Sequence, residues 1–155
     1  MTEAPILNEH NKQEYPPAHT AEHILNQTMV RMFGCSRSRV NHIERKKSKC
    51  NYSLPVCPTE EQIREVEDTV NAIIAADMEV TEHYVTRAEV PAGIDLSKLP
   101  EDVSDTLRLV YVGDYDVCPC LGSHVKRTSE IGNFRISSTS FTDGNFRIVF
   151  RITAS

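Results

Sequence analysis

The chain contains 155 residues, of which 39% are hydrophobic, and it carries a formal net charge of -5 at pH 7. This length and composition suit one globular domain, while the negative charge excludes strong sequence-blind binding to nucleic acid through bulk charge. No apolar run approaches the roughly 20 residues of a membrane span, and the polar start lacks the features of a secretory signal, so we expect a cytoplasmic protein that does not contact a membrane.

The first part of the chain is predicted to contain a leader, a helix and a hairpin. Residues 1–16 are predicted as a flexible leader. Apolar residues recur at helical spacing from Ala18 to Met32, a proline pair precedes this run, and Gly34 ends it. Residues 38–54 have the pattern of two short strands joined by a basic turn, Arg45–Lys49, which predicts a hairpin.

The middle of the chain is predicted to contain a second helix followed by strands. Residues 59–62 form a capping-box pattern, and the apolar residues after it recur at spacings of three and four, which predicts a helix over 59–76. Val and Tyr mixed with polar residues predict a strand over 78–86. A loop punctuated by Pro and Gly follows over 91–100, and strand character returns over 104–117.

The end of the chain is predicted to form a hairpin with one buried face. Asp143 and Gly144 mark its turn, and apolar residues then alternate strictly from Phe146 to Ile152. Two main helices among antiparallel hairpins, without alternation of strands and helices, predict an α+β fold in which antiparallel sheet packs against the helices.

Four residues have the spacing of a metal site. His19 and His23 lie four residues apart in the first predicted helix, so their imidazoles share one face. Cys120 and His124 repeat this spacing after a predicted strand and complete the four N and S ligands that Zn²⁺ prefers. The spacing is also compatible with a polar core that holds hydrogen-bonded histidines.

Neighbouring residues restrict the chemistry. Thr20 follows His19, so the glutamate that acts as the general base in H-E-x-x-H peptidases is absent, and a zinc peptidase is disfavoured. We expect Glu22 to point away from the shared histidine face as a solvated residue, which leaves Glu130 as the candidate catalytic carboxylate. Cys118 is either an alternative ligand or a buried thiol, and the buried thiol is favoured.

Four segments carry a resemblance to a known family. They are residues 19–25 (HTAEHIL), residues 66–74 (VEDTVNAII), residues 120–132 (CLGSHVKRTSEIG) and the closing hairpin over 144–152. These segments resemble the editing domain of alanyl-tRNA synthetases, the second additional domain of threonyl-tRNA synthetases, and free-standing alanyl-tRNA editing proteins. The resemblance implies a tRNA-editing, zinc-binding domain over residues 17–155, in which the four metal-site residues bind Zn²⁺.

The resemblance also implies an activity and a partner. The chain would hydrolyse the ester of serine or glycine on mischarged tRNA(Ala), without ATP and in trans, and would thereby protect translation fidelity. Thr20 would face the amino acid, and the alternative is a hydroxyl that bonds back to the preceding helical turn. Lys126 and Arg127 lie just after His124, and on this proximity alone we expect them to contact the terminal phosphates of the acceptor end. Beyond a metal-bound water, the catalytic group is not identified; the metal either activates water or positions the substrate.

Several alternatives stay open. The family usually has two glycines after the cysteine and often a glycine at position 129, where this chain has Leu121, Gly122 and Ser129, so the accepted amino acid is uncertain. The runner-up function is editing of seryl-tRNA(Thr). Further alternatives are a non-catalytic module that binds zinc and tRNA, metal-free chemistry at the same histidines, and a hydrolase of small esters. The basic run Arg45–Lys49, with Arg37 and Arg39, either holds the acceptor stem or is a solvated turn. The sequence does not indicate the oligomeric state.

Overall fold

The structure is a computed structural model that describes residues 15–38, 41–90, 106–120 and 122–153. In chain order, its helices and strands are α1 (Pro16–Phe33), β1 (Asn41–His42), β2 (Ser48–Ser53), α2 (Glu60–Ala75), β3 (Val80–Thr86), β4 (Thr106–Val112), β5 (Asp116–Pro119), β6 (Asn133–Thr142) and β7 (Asn145–Thr153). Short 3-10 helices span Arg87–Glu89 and Thr128–Ile131. The predicted α+β class is confirmed.

Helix α1 is the most deeply buried element, and it confirms the first predicted helix. Proline occupies its first positions, where the missing N–H costs no hydrogen bond, so Pro16 belongs to the helix rather than to the predicted leader. Gly34 ends the helix at φ 68°, and its N–H donates to the Val30 carbonyl. The rest of the predicted leader and the predicted loop over 91–100 lie outside the described residues.

Helix α2 confirms the second predicted helix, and its first turn is fixed by a capping box. The Gln62 N–H donates to the Thr59 hydroxyl at 3.1 Å, while the Thr59 N–H donates to the Gln62 side chain at 2.9 Å. One face, formed by Val66, Val70 and Ile74, is buried against the core. Charged residues cover the opposite face, which is the pattern of an amphipathic surface helix.

The larger sheet is antiparallel with the strand order β1-β2-β7-β6. Phe146, Ile148 and Phe150 alternate on β7 toward the core, so both predicted hairpins are confirmed. Lys49 was predicted in the basic turn; it lies instead in β2, opposite Val149, because pairing with β7 extends β2 back to Ser48.

The smaller sheet has the order β3-β4-β5 and is also antiparallel. The strand character predicted over 104–117 divides into two strands, because the chain turns at Gly113 with φ 51°. A Cβ at this position would lie 2.8 Å from Met78 Sδ, so any other residue would also force the Met78 side chain to shift. No helix among the described residues is long and apolar enough to cross a membrane.

The core joins the two helices to the inner face of the larger sheet. Phe134, Phe146 and Phe150 are each at most 2% exposed and pack with the apolar faces of α1 and α2. The Asn71 side chain anchors α2 to β6, since it donates to the Phe134 carbonyl at 2.8 Å and accepts from the Phe134 N–H at 2.9 Å. The helix that carries two predicted ligands is therefore held on a rigid sheet.

The alternation on β7 gives a stability test. We expect Phe150→Ala to lower the free energy of unfolding by roughly 3–5 kcal/mol, because a buried aromatic ring leaves a cavity. The neighbouring exposed change Arg151→Ala should alter it by no more than about 0.5 kcal/mol. Urea unfolding at matched metal content measures both values. Equal losses would contradict the assigned inner face.

Candidate metal centre

Four side chains converge at one point between α1 and the segment after β5. They are His19, His23, Cys120 and His124, and the ligand atom of each lies within 4.8 Å of all the others. The helical spacing brings the first two rings to 5.3 Å between centroids, and the segment after β5 brings the His124 ring to 4.3 Å from that of His19. This group could bind one metal ion, as the sequence predicted.

The Nδ1 atoms of the three imidazoles face polar groups outside the cluster. His19 Nδ1 donates to the Ser123 carbonyl at 3.2 Å, and His124 Nδ1 lies 2.9 Å from the Thr20 hydroxyl. With protons only on these atoms, the Nε2 lone pairs of both rings would face inward and could bind a metal ion. Metal-binding histidines typically have their other nitrogen held in this way. When Nε2 carries a proton, it can instead donate to Cys120 Sγ, which lies 3.3 Å from His19 Nε2 and 3.5 Å from His124 Nε2.

His23 completes the arrangement through a carboxylate. The ring is 3% exposed, and its Nδ1 lies 3.7 Å from Asp116 Oδ2, which is an ion-pair distance rather than a hydrogen bond. Within the described part of the chain, this Nδ1 atom has no hydrogen-bond partner. The other nitrogen of the ring is then the one available to the cluster. Three imidazoles and one thiolate form a donor set that suits a tetrahedral metal ion such as zinc.

The two cysteines near the cluster differ in protonation. Burial disfavours the Cys120 thiolate, but hydrogen bonds from His124, His19 and His23 outweigh this and lower its pKa to about 2. At Cys118, burial dominates and raises the pKa to about 12. Since the thiolate is the form that binds metals, Cys120 is ready to bind and Cys118 remains a thiol.

The cluster itself changes the ionisation of His23. Burial disfavours the charged ring, yet Asp116 and Cys120 outweigh burial and raise the His23 pKa to about 9. A metal ion binds the neutral imidazole and therefore competes with this proton.

Asp116 is the centre of a network that the sequence analysis missed. Its carboxylate is buried and accepts two hydrogen bonds from Arg37, at 2.6 and 3.2 Å, and one from Gln27 at 2.9 Å. Arg37 therefore serves the site, and this contradicts its assignment to a phosphate-binding or solvated turn. The only signal in the sequence was an aspartate inside a strand, where this residue type is rare.

The expectation for Glu22 was wrong. This residue is 6% exposed, and its Oε2 accepts hydrogen bonds from Asn26 at 2.7 Å and Asn41 at 3.1 Å. Its Oε1 lies 4.0 Å from His19 Nε2. The physical reason is helical geometry, because residues three apart are neighbours on one face, so Glu22 lies beside His19 rather than opposite it.

Thr20 lies inside the site and contacts the protein itself. The side chain is fully buried, and its hydroxyl contacts His124 Nδ1 and accepts from the Val125 N–H at 3.2 Å. The alternative of a bond to the preceding helical turn is not what the structure records. The hydroxyl holds the second ligand segment against α1, and its predicted contact with an amino acid stays a prediction.

The segment after Cys120 is held from both sides. Arg108 donates to the carbonyls of Cys120 and Gly122, an anchor that sequence reasoning missed. Farther along, the exposed Arg127 pairs with Asp77 at 3.0 Å. Its guanidinium therefore has an acidic neighbour in an exposed ion pair, and its predicted role in phosphate binding stays a prediction.

Three other predicted positions lie on the surface. Glu130 is exposed, and its carboxylate accepts from the Lys126 N–H at 3.1 Å, so it shapes the backbone next to His124. Lys126 has an exposed side chain. Ser129 donates to Asp77 at 2.6 Å, while residue 121 is outside the described ranges. These contacts leave the predicted roles of Glu130 and Lys126 as predictions.

Comparison with known proteins gives one family. Residues 107–149 match the family described as threonyl and alanyl tRNA synthetase second additional domain. The chain is 33% identical over 153 residues to an alanine–tRNA ligase of Halorubrum lacusprofundi, covering 93% of this chain and 15% of that protein. The corresponding ligase of Ligilactobacillus salivarius is 33% identical over 147 residues, 94% of this chain and 16% of that protein.

A third relative has the same character. An alanine–tRNA ligase of Treponema denticola is 28% identical over 142 residues, covering 91% of this chain and 24% of that protein. The similarity thus extends over most of the chain, whereas the chain spans only a small part of each relative.

The cysteine pair gives a direct test of metal binding. Cobalt(II) added to the parent protein should produce a thiolate-to-cobalt charge-transfer band with a stoichiometry of about one ion per chain. Cys120→Ser should abolish the band, while the matched change Cys118→Ser should retain it. A band lost only in Cys118→Ser would contradict the ligand set.

The Asp116 network predicts an effect on affinity. Asp116→Asn keeps the size of the side chain but removes the charge facing His23, so we expect roughly 10–100-fold weaker zinc binding. The exposed change Asp114→Asn is the matched control and should leave the affinity unchanged. Chelator competition measures both constants, and circular dichroism confirms folding. Parent-like affinity in a folded Asp116→Asn would show that Asp116 does not position His23.

Proposed function

Since this chain is an alanyl-tRNA synthetase editing-domain-like protein, we propose that it is a hydrolase that removes serine or glycine from mischarged tRNA(Ala). The observation that carries the proposal is the convergence of three imidazoles and one thiolate in the segment pair that resembles the family. The partner is the acceptor end of a mischarged tRNA, and the reaction takes place in the cytoplasm without ATP.

The proposed cofactor is zinc, held by His19, His23, Cys120 and His124. The support for this is the donor set together with the outer contacts of the three rings. When bound, such an ion supplies Lewis acidity toward water or an ester carbonyl.

The chain's own residues orient and hold the reacting groups. Thr20 fixes the His124 ring, and Asp116 fixes His23 through its charge. Glu22 is a second candidate carboxylate beside Glu130, since its Oε1 lies at the edge of the cluster while its Oε2 is fixed by two asparagines. We propose that Glu22 Oε1 accepts a proton from the water that attacks the ester carbonyl, and returns it to the ribose oxygen as the bond between that oxygen and the acyl carbon breaks.

Such a reaction has a physical reason to exist. A binding pocket distinguishes amino acids that differ by one small group only modestly, because each methylene contributes roughly 1–3 kcal/mol. A second, hydrolytic site removes the esters that the first pocket fails to reject.

One observation favours a second candidate. The matching family includes threonyl as well as alanyl tRNA synthetases, so editing of seryl-tRNA(Thr) is the alternative substrate. The ester bond, the wrong amino acid and the metal site are the same in both proposals, and only the tRNA differs.

The test is the release of labelled amino acid from seryl-, glycyl- and alanyl-tRNA(Ala). We expect release of serine or glycine with alanine spared. His23→Ala should lower the rate at least about 100-fold, because loss of a ligand exceeds the 10–100-fold effect typical of an outer contact. His42→Ala, an exposed histidine on β1, is the matched control and should retain the parent rate.

The outcomes separate the candidates. Release only from seryl-tRNA(Thr) would move the assignment to the alternative tRNA. Zinc binding and tRNA binding without release from any ester would show a non-catalytic module. Release of equal size from a small model ester and from tRNA would indicate a general esterase. Full activity after verified removal of the metal would exclude zinc as the cofactor.

A further inference from the structure

The outer face of the larger sheet has an unusual charge. The chain as a whole carries a net charge of -5, yet none of the four strands in this sheet contains an Asp or Glu. The polar positions of these strands are Lys, Arg, His, Asn, Ser or Thr. The negative charge of the protein is therefore concentrated elsewhere, and this face is locally positive.

Seven cations lie on this face or in the turn at its edge, and we call this set the basic track. Its members come from the β1–β2 turn and from strands β2, β6 and β7. They are Arg45, Lys46, Lys47, Lys49, Arg135, Arg147 and Arg151. The strand members occupy alternate positions that face away from the buried aromatic rings, because successive side chains of a strand point to opposite faces.

Two of these cations are placed directly opposite each other. Arg135 on β6 pairs in register with Arg151 on β7, and both side chains are exposed. Like charges in this arrangement destabilise a sheet. Among the described residues, no ion pair with either side chain is recorded. The arrangement opposes stability in the free protein and suits a surface that meets a polyanion.

One end of the track lies next to the first turn of α1, the helix that carries His19. The Arg45 guanidinium lies 4.5 Å from the centre of the Tyr15 ring, and the Tyr15 carbonyl accepts a hydrogen bond from the His19 N–H at 2.9 Å. A depression of about 450 Å³ connects the turn to the sheet, and its lining includes one acidic residue, Glu44, beside the cations Arg45 to Lys47 and Arg151. One end of the track therefore lies next to the start of α1, and the other extends across the sheet.

We propose that the basic track binds the phosphate backbone of an RNA helix, which is the stem of the tRNA whose end enters the metal centre. The identity of the RNA rests on the proposed function, while the charge pattern stands without it. A membrane is disfavoured, since the exposed large hydrophobic side chains of the described residues, Val56 and Tyr84, lie outside the track. Arg and Lys with interspersed Ser and Asn are typical of contacts to nucleic-acid phosphates.

The cations of the track are better placed than Arg127 to be the main phosphate contact. Arg127 is paired with Asp77, whereas the exposed strand cations Arg135 and Arg151 have no recorded acidic partner among the described residues. A free cation releases counterions from RNA phosphates more effectively than a cation that must first leave a carboxylate.

The experiment is a double substitution, Arg135→Ser with Arg151→Ser, in the full chain. Binding of uncharged tRNA(Ala) is followed by fluorescence anisotropy over a range of KCl concentrations. We expect about tenfold weaker binding at low salt, and a slope of log K against log[KCl] that is shallower by roughly 1.4–1.8, because two phosphate contacts are lost. Arg64→Ser, an exposed change on α2, is the control and should match the parent.

Two further readouts separate this proposal from the others. The melting temperature of the double variant should equal or exceed that of the parent, because a repulsion is removed, so misfolding cannot account for weaker binding. Hydrolysis of 2′(3′)-O-seryl-adenosine, which has no phosphates, should be unchanged, while KM for seryl-tRNA should rise.

The outcomes decide between the proposals. Weaker tRNA binding in the double variant supports the track, even if the parent releases no amino acid and the proposed function fails. Parent-like affinity and salt slope in the double variant would overturn the track, whatever the activity. Loss of binding to anionic vesicles, with tRNA binding intact, would equally overturn it.

Discussion

The close packing of three imidazoles, one of them buried, around one thiolate is the constraint on which the site depends. Such a group is unfavourable in an apolar interior unless its charges are balanced and every outward nitrogen has a partner. The structure meets this need with a backbone carbonyl for His19 and a hydroxyl for His124, while His23 has the charge of the Asp116 carboxylate at 3.7 Å in place of a hydrogen bond. These partners come from three parts of the chain, so the cluster forms only when the fold is complete.

This constraint explains why α1 is buried on nearly every side. The helix must present ligands, Glu22 and Thr20 toward the site and apolar residues toward the sheet, so it cannot have a broad solvated face. The segment after β5, which carries Cys120 and His124, must also be held in place. Arg108 does this by donating hydrogen bonds to two of its carbonyls. The Thr128 hydroxyl ties the segment after His124 to the end of α2, since it donates to carbonyls there and accepts from the Met78 N–H.

The elements predicted well are those whose signals are local. Periodicity and capping determined α2, and alternation determined β7, because each pattern depends on residues a few positions apart. The convergence of the four candidate ligands was also predictable, since each pair is four residues apart. Asp116 and Arg37 were not, because their contact joins residues 79 positions apart and gives no periodic signal. Glu22 was missed for another reason, since its burial depends on asparagines from α1 and β1 that surround it.

The distribution of charge links the chemistry to recognition. A net negative chain repels nucleic acid at long range, so RNA binding requires that positive charge be concentrated on one face and that acidic residues be kept out of it. The larger sheet meets both conditions, and it is also the rigid support for α1. Its inner face fixes the helix that carries His19 and His23, while its outer face carries the cations. A phosphate backbone seated on the outer face would therefore be held at a fixed distance from the cluster, and this would direct a flexible acceptor end rather than any small ester to the metal centre.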